Sequence, residues 1–201
     1  VGIKTRSKYF SGTINYYFNR INNSVINVKV QEAFAGKDMP KLYQDLIDAN
    51  KDAVVSIAYN SDEPTNIQGV EMAVNRLAFP IFPELFAYGN LTITRVKDLE
   101  ENQPMLREVP INGILGIRWD EHRGIFWIET YSRFAKKQDR LSKSDRADPR
   151  IPGTISDAKK EDPRAYTPGW FTLNIRLGTN ISNLVKLAIG IENITDRRYR
   201  E

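Results

Sequence analysis

The chain has 201 residues, no cysteine and a single histidine, His122, and its 29 basic and 25 acidic residues leave a net charge of +4. Those counts exclude a disulfide framework, a thiolate metal site and any centre that needs two imidazoles, and the mixed charge gives no footprint for nucleic acid. No apolar run reaches the roughly 18 residues of a membrane-crossing helix, but strands that alternate apolar and polar residues escape such a scan.

Val1 to Thr5 reads as the end of a strand, and Arg6 to Lys8 as a tight turn. From Tyr9 to Asn19 the chain alternates: Phe10, Gly12, Ile14, Tyr16 and Phe18 on one face, Ser11, Thr13, Asn15 and Asn19 on the other. A period of two marks a strand, and it is expected to continue through Ser24 to Val30 after a polar break at Asn22 and Asn23. Gln31 to Asp52 loses the period; Pro40, then Leu42, Leu46 and Ile47 at helical spacing, predict a short helix inside a long loop. Ala53 to Asn60 is again strand-like, Ser61 to Asn66 a turn, and Ile67 to Leu77 a strand with Val70, Met72 and Val74 on one face. Pro80 and Pro83 punctuate a turn. Tyr88 to Val96 is the next strand, with Leu91 and Ile93 outward, followed by a polar, acidic loop from Lys97 to Pro110.

Ile111 to Trp119 places Ile111, Gly113, Leu115, Ile117 and Trp119 on one face, and Asp120 to Arg123 is a turn that holds His122. Gly124 to Phe134 carries Phe126, Ile128 and Phe134 on one face and Trp127, Glu129, Tyr131 and Arg133 on the other. Lys136 to Tyr166 has no apolar period and reads as a long structureless loop. The chain then closes on a hairpin. Phe171, Leu173, Ile175 and Leu177 form one apolar row, Val185, Leu187, Ile189 and Ile191 the other, with the turn at Gly178 to Asn183.

Connections alternate between short and medium or long: short at 6–8, long at 31–52, short at 79–84, medium at 97–110, short at 120–123, long at 136–167 and short at 178–183. That rhythm fits an outer-membrane barrel with short periplasmic turns and long outer loops. Aromatics near strand ends (Tyr16, Phe18, Trp119, Phe126, Trp127, Trp170, Phe171) fit its interfacial girdles. The expected fold class is all-β: an antiparallel transmembrane β-barrel segment of about eight strands with long extracellular loops.

Four stretches carry a family resemblance: NIQGVEM (66–72), EVPINGILGIRW (108–119), TPGW (167–170) and, most specific, GIENITDRRYR (190–200). In this order and spacing they resemble the C-terminal barrel portion of TonB-dependent outer-membrane receptors of the siderophore, haem or cobalamin type. The resemblance implies a barrel of about 22 strands blocked by a plug domain, in the outer membrane of a Gram-negative bacterium. It implies energy from TonB–ExbB–ExbD and no enzymatic activity. Both chain ends read as interior to a longer protein, with the plug and the final strand expected outside residues 1–201. Expected partners are the plug, outer-membrane lipid and lipopolysaccharide, and a small-molecule metal chelate, with no nucleic acid. No cofactor is expected, although a transported ligand can carry iron.

By strand parity Glu71, Glu129, Arg133, Asn174, Arg176, Lys186 and Glu192 face the lumen, where they form either a hydrated wall against the plug or contacts to a passing ligand. The loop 136–166 carries Lys136, Lys137, Arg140, Lys143, Arg146, Arg150, Lys159, Lys160 and Arg164, a rim that can meet lipopolysaccharide phosphates or attract an anionic chelate. The candidate ligand contacts are Glu129, Tyr131, Arg133, Lys136, Lys137, Arg140, Asn174 and Arg176. A turn at 120–123 sets Asn112 across from Arg133 and Gly116 across from Glu129, and the same-strand pair Glu129 and Arg133 is expected to add a modest electrostatic contact. His122 is a turn residue. Asp145, Asp148 and Asp157 are loop acids without metal-ligand spacing, and no catalytic constellation appears. The function expected is import of a scarce nutrient complex, most readily a ferric siderophore. A passive porin-like channel and a soluble β-sandwich binding module are the alternatives.

Overall fold

The structure is a computed structural model, and it describes residues 1–49, 55–100, 102–148, 151, 165–182 and 184–199. The strands are β1 (Gly2–Arg6), β2 (Phe10–Ile21), β3 (Val25–Lys29), β4 (Ser56–Asn60), β5 (Thr65–Phe79), β6 (Phe82–Asp98), β7 (Gln103–Pro104), β8 (Asn112–Asp120), β9 (Phe126–Ala135), β10 (Trp170–Asn180) and β11 (Lys186–Ile191). The helices are α1 (Val30–Ala33), α2 (Lys41–Ala49) and α3 (Lys143–Ala147). Eight strands form one antiparallel meander, in the order β1-β2-β5-β6-β8-β9-β10-β11. The sheet is not closed: β1 and β11 are its two edges.

Directly opposed residues of antiparallel strands share a face, so the register defines the two surfaces of the wall. One cross-strand row reads Ile3, Ile14, Met72, Leu91, Gly113, Phe134, Phe171. The adjacent row, on the opposite face, reads Gly2, Asn15, Glu71, Thr92, Asn112, Ala135, Trp170. The apolar face stays uncovered: Ile14, Met72, Leu115, Phe171, Leu187, Ile189 and Ile191 are all exposed. Among the described residues only Val30, Ala78, Tyr131, Ala135, Leu141 and Ala165 are buried hydrophobics, and no second sheet layer packs on the wall. A soluble sandwich buries one face of each sheet against the other. An exposed aliphatic face backed by a polar one belongs in lipid.

Four expectations change. The segment after Asn22 does not prolong β2. Asn23 takes a positive φ of 54°, the chain leaves the wall, and β3 pairs only with β4 in a separate two-stranded sheet. The predicted helix is present as α2, with Phe34 and Tyr43 packed ring to ring at 5.6 Å; Asp52 and Ala53 lie outside the described residues.

The β8–β9 register is slid by two residues. Asp120 pairs with Trp127, which sets Asn112 against Ala135, Ile114 against Arg133, and Arg118 against Glu129. The reason is a longer turn. Glu121 N–H donates to Phe126 O at 2.9 Å, Gly124 N–H to Glu121 O at 2.7 Å, and Gly124 adopts φ 70°. A slide of two keeps every side chain on its face, whereas a slide of one inverts them. His122 sits exposed in this turn beside Glu121.

The closing hairpin turns later than expected. Gly178, Thr179 and Asn180 remain in β10, and Asn180 pairs with Lys186. The loop after β9 is not structureless either. Leu141, Ser142 and Asp145 are buried, and α3 opens on a capping box in which Ser142 and Asp145 each hold the other's backbone N–H. Arg150, Asp157, Lys159, Lys160 and Arg164 lie outside the described residues.

The two faces predict opposite tolerance to charge. In the intact protein, Leu187→Arg on the apolar face is expected to cost about 2–4 kcal/mol of folding stability in lipid vesicles if the site lies near the midplane. Lys186→Gln on the polar face is expected to change it by less than about 0.5 kcal/mol. Equal costs in urea titrations would contradict the assignment of faces.

Candidate functional site

The polar face of β8, β9, β10 and β11 assembles a ladder of compensated charges. Tyr88 on β6 donates its hydroxyl to Glu129 on β9, across the intervening β8. The residue on β8 between Tyr88 and Tyr131 is Gly116, and any Cβ there would collide with the Tyr88 ring. Glycine therefore lets the tyrosine lie flat and reach the carboxylate. Glu129 stands between Arg118 and Arg176 in cross-strand register. Arg118 donates to Asp120 at 2.7 Å and lies 4.1 Å over the Trp127 ring. Arg176 donates to Glu192 at 3.1 Å and lies 4.6 Å over Tyr131, whose own hydroxyl donates to the same carboxylate oxygen at 3.1 Å. Each exposed pair adds at most about 1 kcal/mol, so the ladder's main effect is to fix where the charges stand.

Asn174, buried on β10, has its amide fully engaged. Its Nδ2 donates to Tyr131 O at 3.1 Å and to Thr172 Oγ1 at 3.3 Å, and its Oδ1 accepts from Asn193 N–H at 2.8 Å. It anchors the turn that follows β11. Asn193, at φ 50°, holds Arg197 by both backbone groups, Oδ1 to N–H and Nδ2 to O, each at 3.0 Å. Tyr199 then stacks on Trp170 with ring centroids 4.3 Å apart. The Asn-Ile-Thr-Asp-Arg-Arg-Tyr stretch is thus a turn held by one asparagine and an aromatic clasp back to the wall.

An open cleft of about 420 Å³ lies on the wall between Asn90, Thr92, Asn112, Arg133 and Trp170, with Val109 and Pro110 at its loop end. It borders a second polar cluster, which joins the loops after β6 and β9. β7 pairs with the end of β6 beyond the last β8 pairing, and this folds the loop back so that Glu108 becomes fully buried. Arg95 donates to its Oε1 at 3.1 Å, Val96 N–H to its Oε2 at 3.3 Å, and Arg140 Nε lies 3.4 Å from Oε1. Gln138, also buried, donates to the Glu108 carbonyl at 2.7 Å, and Asp145 accepts from Arg107 N–H at 2.9 Å.

Of the eight candidate residues, Glu129, Tyr131, Arg133, Asn174 and Arg176 share the polar face of β9 and β10. Arg140 belongs instead to the loop cluster around Glu108. Lys136 and Lys137 are exposed at the loop base, Lys137 lying 4.2 Å over the Tyr166 ring. Sequence reasoning missed Tyr88 and Arg118, which meet Glu129, and Glu108 and Gln138, which meet Arg95 and the Glu108 carbonyl, contacts that span 11 to 41 positions. It also missed Ser142 and Asp145, although Ser-x-x-Asp is a readable cap signature.

A wall of antiparallel strands with a lipid-compatible outer face, a charged inner face and long loops at one end is the wall of an outer-membrane β-barrel. The chain belongs to the TonB dependent receptor-like, beta-barrel family, whose model matches residues 1–194. Solved structures share the fold. The copper transporter OprC superposes with a TM-score of 0.69 at 13% identity, covering 100% of this chain and 25% of that one. The ferric enterobactin receptor PfeA from Pseudomonas aeruginosa gives 0.60 at 16% identity, covering 98% and 25%. The ferric citrate transporter FecA gives 0.59 at 15% identity, covering 98% and 26%. The chain thus spans about a quarter of the length of these proteins, which are named as transporters and receptors, not enzymes. A comparison with curated proteins found no match.

Removing the Glu108 carboxylate tests the loop clasp. Glu108→Ala leaves Arg95 and Arg140 facing each other without their counter-charge. It is expected to cost about 1–3 kcal/mol of local stability, the low side for a broken ion cluster because both guanidinium groups keep solvent contact. Hydrogen exchange should quicken in residues 136–146 and stay unchanged in β9 and β10.

Proposed function

We propose that the intact protein is an outer-membrane receptor of a Gram-negative bacterium that captures a scarce nutrient complex and imports it with energy supplied through TonB, the cargo being a ferric siderophore. The observation that carries this reading is the family match across residues 1–194 on a wall whose inner face is charged and whose outer face is apolar. The named cargoes of structural neighbours, ferric enterobactin, ferric citrate and copper, support a metal-bearing ligand. The iron belongs to the cargo.

In this reading the plug and the TonB–ExbB–ExbD complex are the working partners. The cleft beside Arg133 and Trp170 offers an open contact on the inner face for a ligand or for the plug. Lys136 and Lys137, exposed at the loop base, raise the local concentration of an anionic chelate by long-range attraction. Arg140 contributes less to that field because Glu108 already offsets it. Glu129 and Arg176, held by Tyr88 and Glu192, supply fixed charges along the inner wall. Asn174 has no polar atom to spare and acts by holding the turn after β11.

Uptake of radiolabelled iron chelates by a deletion strain, complemented with the intact gene and assayed with and without functional TonB, tests the reading. Restored uptake of a siderophore-bound label that disappears without TonB is expected. Uptake that persists without TonB, together with steady conductance of the pure protein in planar bilayers, would establish a passive channel instead. Rescue by another metal complex alone would keep the receptor and replace the cargo. Lys136→Ala with Lys137→Ala is expected to weaken capture several-fold at low ionic strength and much less at high salt, since the attraction is screened within about 10 Å at 0.1 M.

A further inference from the structure

Two rows of the inner face build the open cleft near the loop end of the wall. One reads Asn90, Ile114, Arg133, and the other reads Thr92, Asn112, Ala135, Trp170. Ala135 is the small residue between Asn112 and Trp170. Those two stand two strands apart, roughly 10 Å across the sheet, so the row is hollow at its centre. The volume of about 420 Å³ lies at the small end of the roughly 300–1,000 Å³ of small-molecule sites. It gives room for a ring-bearing unit of a cargo.

The polar atoms left unspent around the cleft are neutral and of both kinds. Asn90 accepts the Ile114 N–H on its Oδ1 at 3.1 Å, which leaves its Nδ2 as a donor. Asn112 donates its Nδ2 to the Pro110 carbonyl at 2.9 Å, which leaves its Oδ1 as an acceptor. The Thr92 hydroxyl, directly across from Asn112, has no partner among the described residues and can play either part. Arg133 is the one charged side chain among the described lining residues, and it already interacts within the chain. Lys136, Lys137 and Arg140 do not line the cleft. Trp170 supplies an aromatic ring at its edge. Tyr199 stacks on that ring at 4.3 Å without lining the cleft, so the indole is braced from outside.

We infer that this cleft is a subsite for a neutral, hydroxyl-bearing ring of the cargo, a glycosyl unit. Sugar hydroxyls donate and accept at once, so they can use the Asn90 donor, the Asn112 acceptor and the Thr92 hydroxyl together. A carboxylate only accepts and would leave the Asn112 oxygen facing its own charge. The carbon-lined face of a sugar ring is apolar and packs on the Trp170 indole. An iron-binding anionic core would meet a single, already engaged cation here, whereas Lys136 and Lys137 attract it at the loop base. The division orients the cargo, with its sugar on the wall and its charged core toward the basic loop. The inference deepens the receptor reading above and rests on it.

The test uses the purified full-length receptor in detergent micelles. The probes are the methyl glycosides of glucose, galactose, mannose and N-acetylglucosamine, with salicylate as an anionic ring of similar size. Saturation-transfer NMR reads binding. At least one glycoside is expected to bind saturably, with little dependence on salt, and to resist displacement by salicylate. Trp170→Ala is expected to weaken that binding roughly tenfold, and Trp170→Phe, which keeps a ring for Tyr199 to stack on, should retain most of it. Thr92→Val keeps the side-chain shape, removes only the hydroxyl, and is expected to weaken binding several-fold. Absence of saturable glycoside binding, indifference to both Trp170→Ala and Thr92→Val, or displacement by salicylate would overturn the inference. If siderophore uptake still requires TonB in that case, only the subsite falls. Glycoside binding by a protein whose uptake ignores TonB keeps the subsite and sinks the energy-coupled reading.

Discussion

The structure depends on one constraint: an unbroken antiparallel ladder whose side chains alternate between two incompatible solvents. Lipid cannot hydrogen-bond a peptide group, so the strands satisfy one another, and the two-residue period then sends each side chain either outward or inward. This accounts for the thin hydrophobic core. The aliphatic residues that would fill a soluble interior form the outer surface, and the inner surface carries glutamate, arginine and tyrosine. The wall is open at β1 and β11, and in hydrocarbon the backbone groups of both edges require partners.

Charge is handled differently at the two levels of the molecule. Along the inner wall, Arg118 and Arg176 sit over aromatic rings, and Arg176 shares the Glu192 carboxylate with Tyr131, which holds them in place at little net energy. At the loop end, Glu108 loses all solvent and is met by Arg95, Arg140 and the Val96 N–H. There the ion cluster joins the loops after β6 and β9. A surface built on loops needs such a brace, because its geometry is only as good as the second layer that holds it.

The closing motif joins both levels. Asn174 faces the interior from β10, its amide reaches the backbone of Asn193, and Asn193 in turn folds the chain so that Tyr199 covers Trp170. Each residue in this relay has a conformational reason to be what it is. The asparagine accepts a positive φ and mimics backbone on both sides. The aromatics close the turn by stacking.

Alternation alone determined the class of fold and the face of nearly every strand residue, because parity survives any even error in register. The two-residue slide between β8 and β9 therefore altered the partners of Glu129 and Arg133 without altering their side. The loop rhythm likewise showed which end carries the long connections, since turn length is written locally in Gly, Pro and Asn. Tertiary structure decided what local patterns cannot encode: that Tyr88 reaches Glu129 over Gly116, that Glu108 is buried between two arginines, and that β3 leaves the wall at Asn23. Those contacts depend on strand registers and loop folds summed over dozens of residues. Only the assembled sheet brings such distant positions within hydrogen-bond reach.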